Sequence, residues 1–493
     1  MAAYPMSPVD AAWYHMDGPV NFAMVTGIML MREPLSFDEV KAVYRQRLAP
    51  FARFRQRVVE KRFPVTAPHW EDMPDFDIGQ QLHHIALPEP RDREALARLV
   101  SDLASTPLDH ARPLWEVHVV DGVNGGSALI MRIHHCIGDG TAAMVVCNAL
   151  FDTTTDAPPA QAPAMAGVGG RGNGLLASAF APIEEAVRLA VDTARTTFDA
   201  IAHPTPLVAK ARLVLEGASM LAAELLKSPD PRSPLKGSFG LEKRVAWSEP
   251  VSLADVKAIG APSGAKINDV LVAAMTGALR TYLRRRGVDV DRVGVRAMVP
   301  VDLRPAARAL ELGNEFGLVI LELPLQGRRS RDRLRLTKER MDALKRSPEP
   351  VAILALFDLF GRGPKAAADL AVDLFGTKAS LVMTNVVGPL GPVRLAGAPI
   401  DRLMFWVPHP GRQLGMGVSI LSYNGEATLA VVADAHLVPD PETITIAFGR
   451  EFARMVRTAR ARKAREAAAR PATRGGRQPS LAKTGNRRAR VTQ

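Results

Sequence analysis

Two segments of the sequence share a strand–turn–helix pattern. Of all the features of the sequence, this recurrence most restricts the fold that the chain can adopt. EPLSFDEVKAV (residues 33–43) and EPVSLADVKAI (residues 249–259) each follow a short apolar run of the kind that forms a strand. Each also places a serine three residues before an acidic residue, which is a helix start signal because the first amides of a helix need an oxygen acceptor. One such unit near the start of each half predicts two α/β domains of related build.

Composition places the boundaries of these domains. Residues 152–174 are poor in large apolar side chains and rich in Pro, Gly and Ala, as linkers are. We therefore predict a first domain over residues 1–151, a linker and helical connection over 152–240 and a second domain over 241–456. A basic tail over 457–493 is predicted to begin as a helix and to become disordered at Pro471.

The whole-chain composition excludes several classes of protein. Of the 493 residues, 47% are hydrophobic and 23% are charged, which is ordinary for a globular protein. Two cysteines cannot build a disulfide framework, and no Cys/His spacing indicates a zinc site, so we predict a reducing, cytoplasmic location and no metal. The amino terminus lacks the pattern of a signal peptide, and no apolar run reaches about 18 residues, so any membrane contact is predicted to be peripheral.

The net charge of +12 is concentrated at one end of the sequence. Residues 457–493 carry +11 of it, which leaves +1 for the preceding residues. This tail is the only feature that favours nucleic-acid binding, and it has no interleaved aromatic residues for base stacking, so no nucleic-acid partner is predicted. Binding to an anionic membrane surface is one interpretation of this tail, and a solvated, disordered segment is the other.

The stretch MRIHHCIGDG, residues 131–140, is the best candidate for a chemical site. Strand alternation places His135 in the same row as Met131 and Ile133, and His134 in the opposite row. His135 is thus the better candidate for a half-buried, neutral imidazole that accepts a proton from a hydroxyl. Asp139 stands where the next helix begins and is predicted to cap it, or to hold a cation, and to fix the loop.

Adjacent histidines before a loop are often only structural, and the sequence contains a comparison. His83 and His84 lack a following Asp-Gly, and we assign them a structural role. By itself, the pair at 134–135 leaves both the structural and the catalytic interpretation open.

HHCIGDG fits the HHxxxDG signature of the CoA-dependent acyltransferase superfamily, which includes chloramphenicol acetyltransferase and the condensation domains of peptide synthetases. Further blocks resemble the bacterial wax ester synthase/diacylglycerol acyltransferase family, in family order and over nearly the whole sequence. These blocks are MSPVDAAW, FRQRVV, PLWEVHVVDG, KINDVLVAAMTGALRTYL, MVPVDLRP, LGNEFG, TNVVGP and LSYNG.

The resemblance implies an α/β fold of two chloramphenicol-acetyltransferase-like domains, each a mixed sheet with helices, with a tunnel between them. It implies transfer of a long-chain acyl group from acyl-CoA to the hydroxyl of diacylglycerol, giving triacylglycerol, or to a fatty alcohol, giving a wax ester. Acyl-CoA would be a co-substrate, and no cofactor is expected. The enzyme would associate peripherally with the inner membrane or lipid droplets.

The resemblance also implies roles for individual residues. His135 would be the general base, His134 a structural member of the motif and Asp139 the organiser of the loop. The residues predicted to bind substrate are Trp115, Gly140, Asn268 and Asp269.

Two of these implied roles have structural alternatives. Asn268 could instead cap a helix over residues 269–286, and Trp115 could pack the core. Cys136 is not expected to be a nucleophile. Gly313, Asn314, Asn385, Gly388 and Pro389 are interpreted as turn and crossover residues.

Two alternative functions remain open at this point. One is a condensation-type acyltransferase that uses carrier-protein thioesters, and the other is a lipid-droplet binding protein without catalytic activity. The blocks NDV, PLW and TNVVGP argue against the first alternative.

Overall fold

A computed structural model of the full sequence describes residues 3–60, 67–152, 229–305, 310–347, 376–409 and 413–469, with a few isolated positions between these ranges. The predicted linker and most of the helical connection, residues 153–228, lie outside the described residues, as does the end of the basic tail from residue 470.

Helices and strands alternate through both halves of the described chain. The helices are α1 Pro8–His15, α2 Phe37–Arg47, α3 Arg93–Ala104, α4 Gly140–Leu150, α5 Leu253–Gly260, α6 Ile267–Arg285, α7 Ser330–Leu344 and α8 Pro441–Ala469. The strands are β1 Ala3–Pro5, β2 Met24–Met31, β3 Gln56–Val59, β4 His69–Asp72, β5 Leu82–Ala86, β6 Trp115–Val123, β7 Gly126–His134, β8 Lys243–Trp247, β9 Val251–Ser252, β10 Val295–Asp302, β11 Phe316–Leu323, β12 Leu381–Val387, β13 Arg394–Leu395, β14 Ala398–Trp406, β15 Met416–Tyr423 and β16 Glu426–Asp434.

Two large sheets organise the described residues. The first has six strands in the order β13-β14-β2-β7-β6-β5, and the second has the order β11-β10-β12-β15-β16-β8, with β9 also paired to β16. Parallel and antiparallel pairs occur in both sheets. A small sheet, β1-β4-β3, completes the first half. The predicted α/β class with two mixed sheets is confirmed.

The two sequence halves do not correspond one to one to the two sheets. Strand β14 comes from the second half of the sequence, yet it pairs antiparallel with β2 and so extends the first sheet. Side chains from both sheets then meet in one core, which contains Ile130, Trp247, Trp406 and Val432. The predicted unit over residues 241–456 is therefore not self-contained, because one of its hairpins completes its neighbour.

The recurrent pattern at residues 33–43 and 249–259 forms the predicted strand–turn–helix structure in both places. Strand β2 leads to α2, whose first turn is capped by the Ser36 hydroxyl at 3.4 Å from the amide of Glu39. Strand β8 leads to α5, capped in the same way by Ser252 at 3.4 Å from the amide of Asp255. The serine signal thus located both helix starts.

The tail predicted over residues 457–493 begins as a continuation of the last helix. Helix α8 continues to Ala469, and both Val456 and Ala459 pack against the core of the second sheet. The apolar positions of the helix, rather than the change in charge, determine where packing ends. No helix in the described part of the chain combines the length and apolar character that crossing a bilayer requires.

Candidate active site

His135 is the first residue after β7, and it lies where the two halves of the chain meet. Its backbone amide donates to the Ala23 carbonyl at 2.7 Å, which extends the pairing with the chain before β2. Its ring stacks on Trp13 of α1, with 3.9 Å between centroids and 14° between planes. Phe316 of the second sheet lies 5.7 Å away on centroids. The side chain is thus buried, with 7% of the residue exposed.

Asn314 holds the imidazole of His135 from the opposite half of the chain. The Nδ1 atom of His135 lies 2.9 Å from Asn314 Oδ1, and Asn314 Nδ2 donates to the His135 carbonyl at 2.7 Å. Asn314 Nδ2 also donates to Asp10 Oδ1 at 2.8 Å, and the Asn314 backbone amide donates to the same oxygen at 3.0 Å. Asp10, Asn314 and His135 therefore form a buried hydrogen-bonded chain.

This chain fixes which ring nitrogen of His135 carries the proton. Asp10 Oδ1 and the His135 carbonyl are acceptors, so the amide nitrogen of Asn314 must face them and its oxygen must face Nδ1. Nδ1 consequently donates its hydrogen to Asn314. Among the residues that the structure describes, none forms a hydrogen bond with Nε2, and in the neutral ring this atom carries the lone pair.

Burial keeps His135 in its neutral form. Desolvation disfavours the imidazolium and lowers the pKa of His135 to about 4, while the hydrogen bond with Asn314 acts in the opposite direction. Near pH 7 the ring is unprotonated at Nε2 and can accept a proton from a hydroxyl placed within hydrogen-bond distance.

Asp139 organises the loop after His135, as predicted. Its Oδ1 atom accepts from the Ala142 amide at 2.9 Å and so caps α4. Its Oδ2 atom accepts from Arg304 Nη2 at 2.8 Å and from the Glu315 amide at 3.0 Å. The same guanidinium nitrogen donates to the Gly313 carbonyl at 2.7 Å. Asp139 therefore ties the histidine loop to the segment that carries Asn314.

We expect Arg304→Met to destabilise the protein by about 2 kcal/mol, because it removes a buried, charge-assisted hydrogen bond and leaves Asp139 with backbone partners only. Urea unfolding followed by circular dichroism measures this loss. Arg292→Met, at an exposed arginine, is the control, with 89% of the Arg292 side chain accessible. Equal stability of the two variants would contradict the proposed tie.

His134 has the structural role that the sequence predicted. Its Nδ1 accepts from the Cys136 amide at 3.1 Å, and its Nε2 lies 3.3 Å from Asp17 Oδ2. Asp17 in turn accepts from the Ala23 amide, so this histidine braces the turn that precedes β2. Cys136 is fully buried, and burial raises the pKa of its thiol well above the usual range, which does not suit a nucleophile.

Trp115 packs in the core, and its contact with substrate stays a prediction. It is fully buried, and its Nε1 donates to the Phe54 carbonyl at 3.0 Å. Gly140 is the first residue of α4, and a Cβ atom placed there would lie 3.3 Å from Val386 of β12. A side chain at position 140 would therefore require Val386 to shift by a few tenths of an ångström.

The structure contradicts the alternative in which Asn268 caps a helix. Helix α6 begins at Ile267, with Lys266 as its N-cap, and Asp269 Oδ2 accepts from the Lys266 amide at 2.8 Å. Asp269 is 1% exposed, so its carboxylate is committed to the start of the helix rather than available to a substrate. Asn268 is partly exposed and accepts from Asn385 Nδ2 at 3.2 Å, which leaves its own amide nitrogen free of that contact.

A small cleft opens where the two sheets meet. Phe22, Met24, Trp406, His409 and Lys243 are among its lining residues. Phe22 and Met24 flank Ala23, whose carbonyl binds the amide of His135, although His135 itself does not line the cleft. The predicted tunnel, with His135 near its middle, therefore remains a prediction.

Sequence reasoning missed three residues of the site. Asp10 and Trp13 lie in the block MSPVDAAW, and Asn314 lies in LGNEFG. The sequence favours a turn role for Asn314 and indicates no role for the other two. The signal in the sequence is a single acidic residue among the mostly apolar residues of PVDAAWYH, and the structure shows Asp10 to be only 1% exposed. Its partner 304 residues away could not be identified from sequence spacing.

Comparison with known families and proteins agrees with this geometry. Residues 6–271 match the wax ester synthase/diacylglycerol acyltransferase catalytic domain, and residues 312–456 match the WS/DGAT C-terminal domain. A probable diacylglycerol O-acyltransferase, tgs1, of Mycobacterium tuberculosis H37Rv is 30% identical over 430 residues, covering 85% of this chain and 88% of that protein. A putative diacylglycerol O-acyltransferase of Mycobacterium bovis matches to the same extent.

Solved structures confirm the fold that the resemblance implied. The wax ester synthase/diacylglycerol acyltransferase of Marinobacter aquaeolei VT8 superposes with a TM-score of 0.65 at 21% identity, over 92% of this chain and 99% of that one. The first condensation domain of the calcium-dependent antibiotic synthetase superposes with a TM-score of 0.59 at 17% identity, over 93% and 96%.

At these identities the superpositions establish the fold alone. The two family matches together span most of the described chain and include the blocks that surround His135. By these matches, the chain belongs to the wax ester synthase/diacylglycerol acyltransferase family.

Proposed function

We propose that this protein is an acyl-CoA-dependent O-acyltransferase that moves a long-chain acyl group to the hydroxyl of diacylglycerol and forms triacylglycerol. The observation that carries this proposal is the hydrogen bond between His135 Nδ1 and Asn314, because it leaves Nε2 as a proton acceptor in a buried site. Family membership supports the choice of donor and acceptor. Wax ester formation from fatty alcohols is the second reaction that we propose for the same site.

The proposed reaction is a direct transfer. His135 Nε2 takes the proton from the acceptor hydroxyl while the oxygen attacks the thioester carbonyl carbon. The tetrahedral intermediate then expels the CoA sulfur, which takes the proton back from the imidazolium and leaves as the free thiol. Every atom is balanced without a cofactor, and no acyl-enzyme forms.

The developing oxyanion needs a hydrogen-bond donor, and such a donor often contributes about 3–4 kcal/mol. Asn268 remains our candidate, because its oxygen is bound by Asn385 and its amide hydrogens are therefore the groups available to a substrate. Asn385 is next to Val386, which approaches Gly140 of the histidine loop. Asn268 and the histidine loop thus approach neighbouring residues of one strand, β12.

The test of the proposed function is a transfer assay with purified protein. Labelled palmitoyl-CoA is offered with dioleoylglycerol in one arm and hexadecanol in another, and a palmitoyl carrier protein replaces the CoA ester in a third. Triacylglycerol from the first arm is the expected main product. Product only from the carrier-protein arm would favour a condensation-type enzyme, and lipid binding without product in any arm would favour a non-catalytic droplet protein.

We further propose peripheral association with anionic membrane or lipid-droplet surfaces through the basic tail. Residues 470–493 contain seven Lys/Arg and no acidic residue, and each basic residue near an anionic surface contributes about 1 kcal/mol. Deletion of residues 470–493 is expected to lower co-sedimentation with phosphatidylglycerol vesicles and to preserve transfer to dispersed substrate.

The deletion begins after Ala469 because a cut at residue 457 would remove part of α8 that packs against the core. Ala459 contacts that core, and Arg460 Nη2 lies 3.3 Å from Asp255 Oδ1. Neutral phosphatidylcholine vesicles serve as the control surface. Undiminished sedimentation of the deletion variant with anionic vesicles would rule out the tail as the docking element.

A further inference from the structure

Three side chains that commonly bind metals meet on one face of the first sheet. His83 belongs to the edge strand β5 and pairs in parallel register with His118 of β6, while Glu116 lies two residues before His118 on the same strand. One potential ligand atom from each residue lies within 4.8 Å of the other two. The sequence favours a structural role for His83, because neither the pairing of β5 with β6 nor its register is visible in the spacing.

This cluster is separate from the candidate active site. Glu116 pairs with Arg132 and His118 pairs with Ile130, so the cluster shares the face of β7 that carries those two residues. His135 continues the opposite row of β7, and its ring stacks on Trp13. The cluster is therefore not used in the proposed transfer reaction.

His118 lacks a partner that a buried imidazole ordinarily has. The residue is 8% exposed, and its Nδ1 is buried without a hydrogen bond among the described residues. A neutral imidazole carries a lone pair on one ring nitrogen, which is the atom that binds a metal. Native proteins leave few buried polar groups unsatisfied, and a bound ion is one partner that satisfies them.

Glu116 is already oriented for a ligand role. Arg132 Nη1 donates to Glu116 Oε2 at 2.7 Å and leaves Oε1 as the oxygen available to a metal. Carboxylate ligands are commonly held in this way by a second hydrogen-bond partner. The positive charge of Arg132 disfavours a weakly bound cation, so the ion must gain its affinity from the two imidazoles.

We propose that His83, Glu116 and His118 bind one divalent transition-metal ion, with Zn²⁺ as the best match. Two imidazole nitrogens and one carboxylate oxygen form a three-ligand zinc set, whose fourth position is taken by water. Mg²⁺ and Ca²⁺ fit this set of ligands poorly, because both ions prefer sites made only of oxygen ligands. The His83 and His118 rings stack with centroids 4.8 Å apart, and closure around the ion requires His83, half-buried on the edge strand, to turn its ring.

The test is a Zn²⁺ titration of untagged, chelator-treated full-length protein in competition with a chromogenic chelator. Wild type is expected to bind one equivalent, and Co²⁺ in its place should give visible absorption bands of four-coordinate cobalt. His83→Ala and Glu116→Gln should each weaken Zn²⁺ binding at least about tenfold. Zn²⁺ should also raise the melting temperature of wild type, because it binds only the folded state.

His84→Ala is the matched control, since His84 is the next residue on β5 but lies on the other face, stacked on Phe37 and 2.7 Å from Asp121. It should bind Zn²⁺ as wild type does. The proposal is overturned if wild type binds no more tightly than His83→Ala and Glu116→Gln, or if His84→Ala loses binding to the same extent. Circular dichroism of each variant without metal confirms that a loss of binding is not a loss of fold.

Discussion

Replacement of His135 by alanine is expected to reduce acyl transfer about 10²–10⁴-fold, because the variant has no group that can accept the hydroxyl proton. The ring is held by Asn314 at 2.9 Å and stacked on Trp13, so no other described imidazole occupies this position. The measurement is the initial rate of triacylglycerol formation from labelled palmitoyl-CoA and dioleoylglycerol.

His135→Gln accompanies this variant, because it keeps most of the side-chain volume against Trp13 and still lacks the base. His84→Ala, at an exposed histidine, should retain the wild-type rate. A rate in either His135 variant within about threefold of wild type would remove His135 as the general base. Co-sedimentation with vesicles at the wild-type level would show that the variants still reach their substrates.

Replacement of Asn314 by alanine is expected to lower kcat about 10²-fold while the KM for acyl-CoA changes little. Without the acceptor at Nδ1, the imidazole is free to adopt the other tautomer, in which Nε2 carries the hydrogen and cannot act as the base. Asn314 is thus a positioning residue that acts through His135. Asp10→Asn should have a smaller effect, about tenfold, because an amide oxygen can still accept from Asn314.

The pH profile separates positioning from simple loosening of the site. The base works when unprotonated, so the wild-type rate should rise with pH through the pKa of His135, about 4, and be level near neutrality. The hydrogen bond to Asn314 raises this pKa, and its loss should move the acidic limb of kcat/KM to lower pH. If the acidic limb of kcat/KM in the Asn314 variant instead moves to higher pH, toward the ordinary histidine pKa, water has entered a loosened site. That result would contradict the positioning role.

Local features of the site could be predicted from the sequence because short-range rules govern them. Alternation along β7 placed His135 and His134 in opposite rows, and the Asp-Gly after them placed a capping carboxylate at the start of α4. Both rules act within a few residues, where backbone geometry alone decides direction. The same kind of rule gave the wrong start for α6. Its N-cap is Lys266, and the acidic residue of the capping box, Asp269, lies three residues later, whereas the capping interpretation of Asn268 places the start at residue 269.

Contacts between distant segments could not be predicted in this way. Asp10, His135 and Asn314 come from three separate parts of the chain, and only the packing of the two sheets brings them within hydrogen-bond distance. The return of β14 to the first sheet is another such contact, and so is the meeting of His83 with His118 and Glu116. Each depends on strand register, which single-sequence patterns do not encode between distant strands.

The amino-acid sequence by itself determined the α/β class, the family resemblance and the identity of the candidate base, because periodicity and the HHxxxDG motif are local properties of the chain. The tertiary structure alone decided the state of that base. Burial between two halves keeps His135 neutral, and an amide from the other half selects its tautomer. Desolvation and hydrogen bonding depend on what surrounds a side chain in space, and that surrounding exists only after the two sheets have packed.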